Sequence, residues 1–348
     1  MKKIKKNKKK SKLWTFLTIL FVIGDLIAIS GFVIMYGPWN KVRNLFVTTA
    51  MKTKDHQYYA NIFYSEERVK EIVSSNYFIA IEEEVKLDDI VIDTSPKESY
   101  DNEYDKEILT RTEGNEDYKI IKIKVGLSTG HLVAIYDPTK IRMIRSPEFN
   151  GSGEGEQITR MCKRYNGLVC INAGGFVDYG TGSDIPIGYV IDNREIVWPA
   201  NNHDTTIGNL IGFNEDGKLL LLSNTTGTKA IESGMVDGIQ FGPFLIVNGK
   251  PLQIHGDPWG KAPRVAIGQR KDGVVLFLVI DGENYINGAS LNDLIDIFQK
   301  YGAYNAANLD GGHSSSLSVN GKLYNNPPAI AKRQGGRYVV TGFGLLSE

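Results

Sequence analysis

IGQRKDGVVLFLVI, residues 267–280, sets Asp272-Gly273 between the end of the strand-like run RVAIGQR and the apolar, β-branched run VVLFLVI. Asp-Gly between such runs is the turn signal of a β-hairpin. The arrangement recurs in YVIDNREIVW (189–198), GFNEDGKLLLL (212–222), FLIVNGKPLQI (244–254) and SLSVNGKLY (316–324), with Asp-Asn, Asp-Gly or Asn-Gly at each bend. Upstream, YKIIKIKV, HLVAIYD and IRMIRS add short β-rich runs from Tyr118 onward, broken by Gly126, Gly130 and Pro138. Repeated hairpins predict a mostly antiparallel or mixed twisted sheet. Two helices interrupt it. In GEGEQITRMCKRYNG, Ile158, Met161, Cys162 and Tyr165 follow helical spacing, and SLNDLIDIFQKYG has Ser290 as N-cap and Gly302 as its stop. The fold class is therefore α+β, with a few helices packed on hairpins over residues 118–348.

Outside this body the chain changes character. Of 40 basic residues, eight are lysines in the first twelve positions, which leaves 32 basic against 40 acidic side chains in the remainder. A mildly acidic body lacks the basic face that a nucleic-acid binder needs to displace counterions from phosphates. Residues 1–12 read as a Lys-rich cytoplasmic tail. Residues 13–36 form an apolar run long enough to cross a bilayer as one transmembrane helix, and the lysines before it keep the N-terminus cytoplasmic. A cleaved signal peptide is the rival, but the run is long and no A-x-A-like site follows it. An uncleaved anchor places the body on the extracellular side of the cell membrane. Residues 37–117 read as a stalk or accessory segment, with a short helix in SEERVKEIVSSN opened by Ser65 and an acidic, loop-like stretch after it. The two cysteines, Cys162 on the buried helix face and Cys170 in the strand-like LVCIN, fit either a disulfide or two buried thiols.

Four glycine-rich stretches depart from simple turns. CINAGGFVDYGTGSDIPIGYVI (170–191) sets Asn172, Gly174 and Gly175 after an apolar strand; HGDPWGKAPRVAIGQR (255–270) puts Arg264 at the mouth of a strand. VIDGENYINGAS (279–290) and NLDGGHSSSLSVNGK (308–322) each end a strand on a carboxylate beside glycine, Asp281 and Asp310. Adjacent glycines admit a ligand close to the backbone, and successive amides with the Ser314 and Ser315 hydroxyls can form an anion cradle. An arginine can clamp a phosphate, and a carboxylate can assist glycosyl transfer. Taken singly, each stretch is more simply a turn or a surface ion pair.

Taken together and in order, IKIKVGLSTGHLVAIYDPTKIRM, CINAGGFVDYG with IPIGYVI, APRVAIGQRKDG, FLVIDGENY and AANLDGGHSSSLSVNGK resemble the phosphodiester glycosidase family over about residues 118–348. That family includes the enzyme that uncovers phosphodiester-linked mannose by removing N-acetylglucosamine, and membrane-anchored bacterial members of exopolysaccharide-biosynthesis type. The resemblance implies a site at Asn172, Gly174, Gly175, Arg264, Asp281, Asp310, Gly311, Gly312 and Ser314. His313 stands where the family usually carries a third glycine, and INAGGF where an INGGF-like run is usual.

The expected function is a membrane-anchored glycosidase that hydrolyses a sugar 1-phosphodiester at the anomeric carbon, in cell-envelope or exopolysaccharide metabolism. Asp310 would serve as base or nucleophile, with Asp281 as its partner or a hydroxyl ligand. Arg264, with the amides and hydroxyls of residues 311–315, would face the phosphate. The sequence requires no cofactor and leaves a divalent metal possible. The partners are a phosphodiester-linked sugar or glycopolymer and the membrane, and no nucleic acid. One alternative is a phosphodiesterase attacking phosphorus, with the carboxylates and His313 on a divalent metal. The other is a non-catalytic glycopolymer-binding domain.

Overall fold

The structure, a computed structural model of the 348-residue chain, describes all residues except 1, 53–56, 150, 152, 179–182, 200–206, 283–286, 329–330, 332–334 and 348, with side chains described from residue 12 onward. Residues 179–182 and 283–286 of two glycine-rich stretches thus lie outside the described residues. The chain forms two compact units, residues 1–76 and 77–348.

The first unit is helical. Helix α1 (Lys2–Tyr36) contains an apolar segment, Lys12–Tyr36, with a mean hydropathy of 2.4 and none of its surface buried. It is long and apolar enough to span a bilayer. Helices α2 (Asn40–Lys52), α3 (Tyr58–Phe63) and α4 (Glu66–Ser74) bury Val47, Ala50, Ala60, Val69 and Ile72 among themselves. As the sequence predicts, Ser65 caps α4 by accepting from the Arg68 amide.

The second unit is α+β. The hairpin strands join three antiparallel sheets. The largest has seven strands in the order Lys250–Pro251, Phe244–Val247, Ala303–Leu309, Arg264–Arg270, Val275–Ile280, Ser128–Ile135, Tyr118–Val125. A five-stranded sheet runs Lys322–Leu323, Leu317–Val319, Gly167–Asn172, Thr341–Leu346, Ile141–Arg145, and another runs Leu219–Thr225, Gly208–Phe213, Asp237–Gln240, Val190–Asp192, Glu195–Trp198. One face of each contributes to a common core in which Val133, Ile171, Ile211, Ile267, Phe277 and Phe343 meet. Phe213 and Phe343 pack edge to face across it, with centroids 5.6 Å apart.

Helices cover the outer faces. Helix α5 (Glu103–Leu109) adds Ile108 and Leu109 to the layer outside the seven-stranded sheet, so the segment read as a stalk divides at residue 76, and its second half builds the body. Its acidic composition hides the few apolar positions that do this. Helix α6 (Ile158–Arg164) covers the first five-stranded sheet and α7 (Gly227–Glu232) the other. Helix α8 (Leu291–Lys300) opens on a Ser290–Asp293 capping box and stops before Gly302 at φ 73°. It packs closely because a Cβ at Gly268 would meet the Phe298 ring at 2.8 Å.

Cys162 of α6 and Cys170 of its neighbouring strand form a disulfide. Closing so short a loop constrains the unfolded chain by about 2–3 kcal/mol. Cys162→Ala/Cys170→Ala is expected to lower stability by that amount, read as a lower urea midpoint. The wild type under reductant should match it.

Candidate active site

Antiparallel pairing brings the singled-out strand ends to one edge of the large sheet. Arg264 pairs with Ile280, and Val265 with Leu309, so Asp281 and Asp310 end the two strands that flank Arg264. The end of the central strand of the first five-stranded sheet abuts them, because the Asp310 amide donates to Ala173 O at 2.9 Å.

Asn172 fixes the loop after Asp310. Fully buried, it donates from Nδ2 to Asp310 O (2.8 Å) and accepts at Oδ1 from the Ser316 amide (2.9 Å), spanning the Gly-Gly-His-Ser-Ser turn. Gly312 holds a left-handed φ of 62°, and its amide donates to Pro263 O at 2.8 Å. Gly311 must be glycine, since a Cβ would lie 2.7 Å from that same carbonyl oxygen. Gly174 and Gly175 lie across from the loop: the Gly174 amide donates to Thr341 Oγ1 (2.9 Å), and a Cβ on Gly175 would touch the Phe241 ring at 3.1 Å. His313 is exposed at the tip, whereas Ser314 and Ser315 are buried.

The loop amides do not form an open cradle. Those of Gly312, Ser314, Ser315 and Ser316 donate to Pro263 O, Gly311 O, Gly312 O and Asn172 Oδ1. Gly311 and Ser314 instead act on the Asp310 carboxylate, lowering its pKa, while burial acts more strongly the other way and pushes it up to about 6. The other nearby charges are Arg337, which lowers the value, and Asp178, which raises it. Arg337 Nη2 pairs with Asp178 Oδ1 at 2.5 Å, and its guanidinium lies over the Phe176 ring, 5.3 Å from the centroid. Neither residue stands out in the sequence on chemical grounds. The available signal is Gly335-Gly336 directly before Arg337, the same double-glycine texture as at 174–175 and 311–312.

Asp281 joins the site indirectly. Its carboxylate accepts from Asn325 Nδ2 (2.8 Å) and from the Asn326 amide (3.0 and 3.1 Å). Asn325 also donates to Ser315 O and accepts from the Leu317 amide, so Asp281 braces the loop after Asp310 through Asn325. His131 approaches it with Nε2 3.7 Å from Oδ2 and packs edge to face on Tyr324. Asp281→Ala leaves these donors without their acceptor and is expected to cost about 2–3 kcal/mol, measurable as a lower urea midpoint. Asp281→Asn, which keeps an acceptor oxygen, should cost less.

The Arg264 guanidinium is held by backbone carbonyls. Nε donates to Ala289 O (3.0 Å), and Nη2 to Trp259 O (3.0 Å) and Gly260 O (2.9 Å). Burial lowers its pKa to about 10, against the opposing pull of Asp257 and Asp293, so it stays cationic at neutral pH. Among the described residues, no three His, Cys, Asp or Glu side chains gather closely enough to hold a metal ion.

Residues 165–346, which include Asn172, Arg264, Asp281, Asp310 and Arg337, match the family of the phosphodiester glycosidases, and the match covers just over half of the chain. The chain belongs to the phosphodiester glycosidase family. Among solved structures, its fold is similar to the catalytic domain of zebrafish N-acetylglucosamine-1-phosphodiester alpha-N-acetylglucosaminidase, auto-inhibited by its pro-peptide. The TM-score is 0.54 at 21% identity, covering 67% of this chain and 83% of that one. Among curated proteins, the chain is 30% identical over 183 residues to the SPbeta prophage-derived uncharacterized protein YomE of Bacillus subtilis (strain 168). That stretch is 51% of this chain and 28% of the relative, so the chain spans little more than a quarter of the relative's length.

Proposed function

We propose that this phosphodiester glycosidase is a membrane-tethered hydrolase that cleaves a sugar 1-phosphodiester at the anomeric carbon, outside the cytoplasm. The observation that carries the proposal is Asp310, whose backbone carbonyl is held by Asn172 and whose carboxylate, pushed up to a pKa of about 6 by burial, accepts from Ser314 and the Gly311 amide with a cation, Arg337, within electrostatic reach. In the reaction water adds to C1 and the C1–O bond to phosphate breaks. The bonding electron pair leaves on the phosphate oxygen, and the products are the free sugar and a phosphomonoester. A phosphate departs readily, so the main demands are an electron-pair donor at the sugar face and a charge at the leaving oxygen. Ionised Asp310 meets the first, either by attacking C1 or by taking the proton of the attacking water. Arg337 suits the second, and Arg264 and Asp281 hold the walls that set Asp310 in place.

Three features support the tether and compartment: the apolar Lys12–Tyr36 segment, the eight lysines before it, and the Cys162–Cys170 disulfide, which suits an oxidising environment. The deciding experiment is hydrolysis of a panel of sugar 1-phosphodiesters by the full chain in isotopically labelled water. Label entering the sugar is the expected result. Label entering the phosphate would mean attack on phosphorus, and no turnover on any member would favour a glycopolymer-binding module.

A further inference from the structure

The N-terminal unit holds a cavity of about 120 Å³ between the first turn of α2 and the body of α4, whose polar lining is Asn40, Arg43, Asn44, Arg68, Glu71 and Ser75, with Ile72 beside them. Two guanidinium groups meet one carboxylate there, which leaves the cavity cationic. Glu71 already pairs with Arg68. Arg43 donates from Nη2 to Asn40 Oδ1, but its Nε is buried with no hydrogen-bond partner. A buried donor without an acceptor is costly, and a guanidinium fork matches the oxygens of a phosphate.

The position of the cavity selects the source of that phosphate. Tyr36, the last residue of the apolar segment, donates its hydroxyl to Phe63 O at 2.8 Å, and Tyr64 donates to Met35 O at 2.7 Å. These bonds fix the α3–α4 junction to the end of α1. Arg43 and Arg68 both lie close enough to Tyr64 to act on its phenol electrostatically, so the cationic cavity sits at the level where the apolar segment ends. The same helices expose apolar surface: Trp39 and Val42 flank the start of α2 at 52% and 50% exposure, and Tyr58 and Ile62 of α3 stand at 54% and 61%. Aromatic side chains next to the end of a membrane span belong to the headgroup region.

We infer that Arg43 and Arg68 bind the phosphate of an anionic membrane lipid, with Trp39, Val42, Tyr58 and Ile62 lying in the bilayer interface around it. The inference rests on the membrane-anchor reading, and the test separates the two. The full chain in detergent is offered equal amounts of phosphatidylglycerol and of a glucosyl-diacylglycerol that carries no phosphate, and retained lipid is read by native mass spectrometry. Phosphatidylglycerol should be retained in excess. Arg43→Gln and Arg68→Gln should each reduce that excess about fivefold, the factor corresponding to ~1 kcal/mol per basic residue near an anionic headgroup. Lys41→Gln, which is outside the cavity lining, should leave the excess intact. Equal retention of the two lipids, or an excess unchanged in both arginine variants, overturns the inference. So does full displacement of the lipid by millimolar inorganic phosphate, which would make this a site for the free anion. Should Arg43→Gln fail to fold, Arg43→Lys keeps the charge without the fork and must still show a reduced excess. Flotation of the chain with liposomes reads the anchor independently and should persist in every variant. Failure of the wild type to float removes the anchor, and the lipid site with it.

Discussion

Asp310→Asn is expected to remove turnover while making the protein more stable at neutral pH. The loss of activity should be about 10²- to 10⁴-fold, the range for a positioned acid–base carboxylate. The stability effect follows from linkage. Burial raises the Asp310 pKa from 3.8 to about 6 in the folded protein, so between those values the folded state binds more protons than the unfolded chain. Stability therefore falls as pH rises through that window, and above it the ionised carboxylate costs about 1–3 kcal/mol. A neutral amide avoids this cost. The urea midpoints of wild type and variant should be similar near about pH 4 and should diverge by about pH 7 in favour of the variant. In the wild type, kcat/KM should fall on the acid side with an apparent pKa of about 6, because the reaction uses the ionised form. Retained activity in the variant would remove Asp310 from the mechanism. A variant less stable than wild type at neutral pH would show that its hydrogen bonds to Gly311 and Ser314 outweigh the burial of its charge.

The hairpins were legible because their signal is local. Asp272-Gly273 between two strand-like runs specifies the pairing of Gln269 with Val275 wherever the hairpin ends up. Their grouping into three sheets was not legible, since that depends on pairings such as Val265 with Leu309 and Phe343 with Ile171, which join segments far apart in the chain. The same holds for the site. The strand-end carboxylates, the double glycines and Asn172 could be picked out by residue type, but the bonds that give them roles span 138 residues from Asn172 to Asp310 and 44 from Asp281 to Asn325. Arg337 meets Asp178 across 159 residues, and no property of either alone marks it. The direction of the Arg264 side chain was hidden for a different reason. A strand residue faces one side or the other by register alone, and only the pairing of Arg264 with Ile280 places it on the side of Ala289 and Trp259.

That direction leads to the expectation that the two arginines fail differently. Arg264→Ala deletes charge-assisted bonds to three backbone carbonyls, those of Ala289, Trp259 and Gly260, and takes from Asp257, whose pKa burial already raises to about 6, the cation that acts most strongly on it. Breaking such a buried network by removing one partner typically costs about 3–5 kcal/mol. The thermal melt should drop sharply. Activity on a sugar 1-phosphodiester and on an aryl glycoside of the same sugar should fall in parallel, because Pro263 O, which fixes Gly312, moves with its neighbour. Arg337→Ala removes a less buried cation whose ion-pair partner is Asp178, so its stability cost should be smaller. Its kinetic cost should be selective. Without Arg337 the charge growing on a departing phosphate loses its counter-ion, which should raise that barrier by about 2–4 kcal/mol, whereas a phenolate carries no phosphate and should be affected far less. Paired measurements of kcat/KM on both substrates, beside a melt for each variant, decide between the roles. If Arg264→Ala melts like wild type and loses only the phosphodiester, Arg264 is the residue that faces the phosphate and Arg337 is a neighbour of Asp310 without that task. Where the wild type does not accept the aryl glycoside, the binding of inorganic phosphate to each variant by calorimetry replaces it, with weaker binding expected for Arg337→Ala alone.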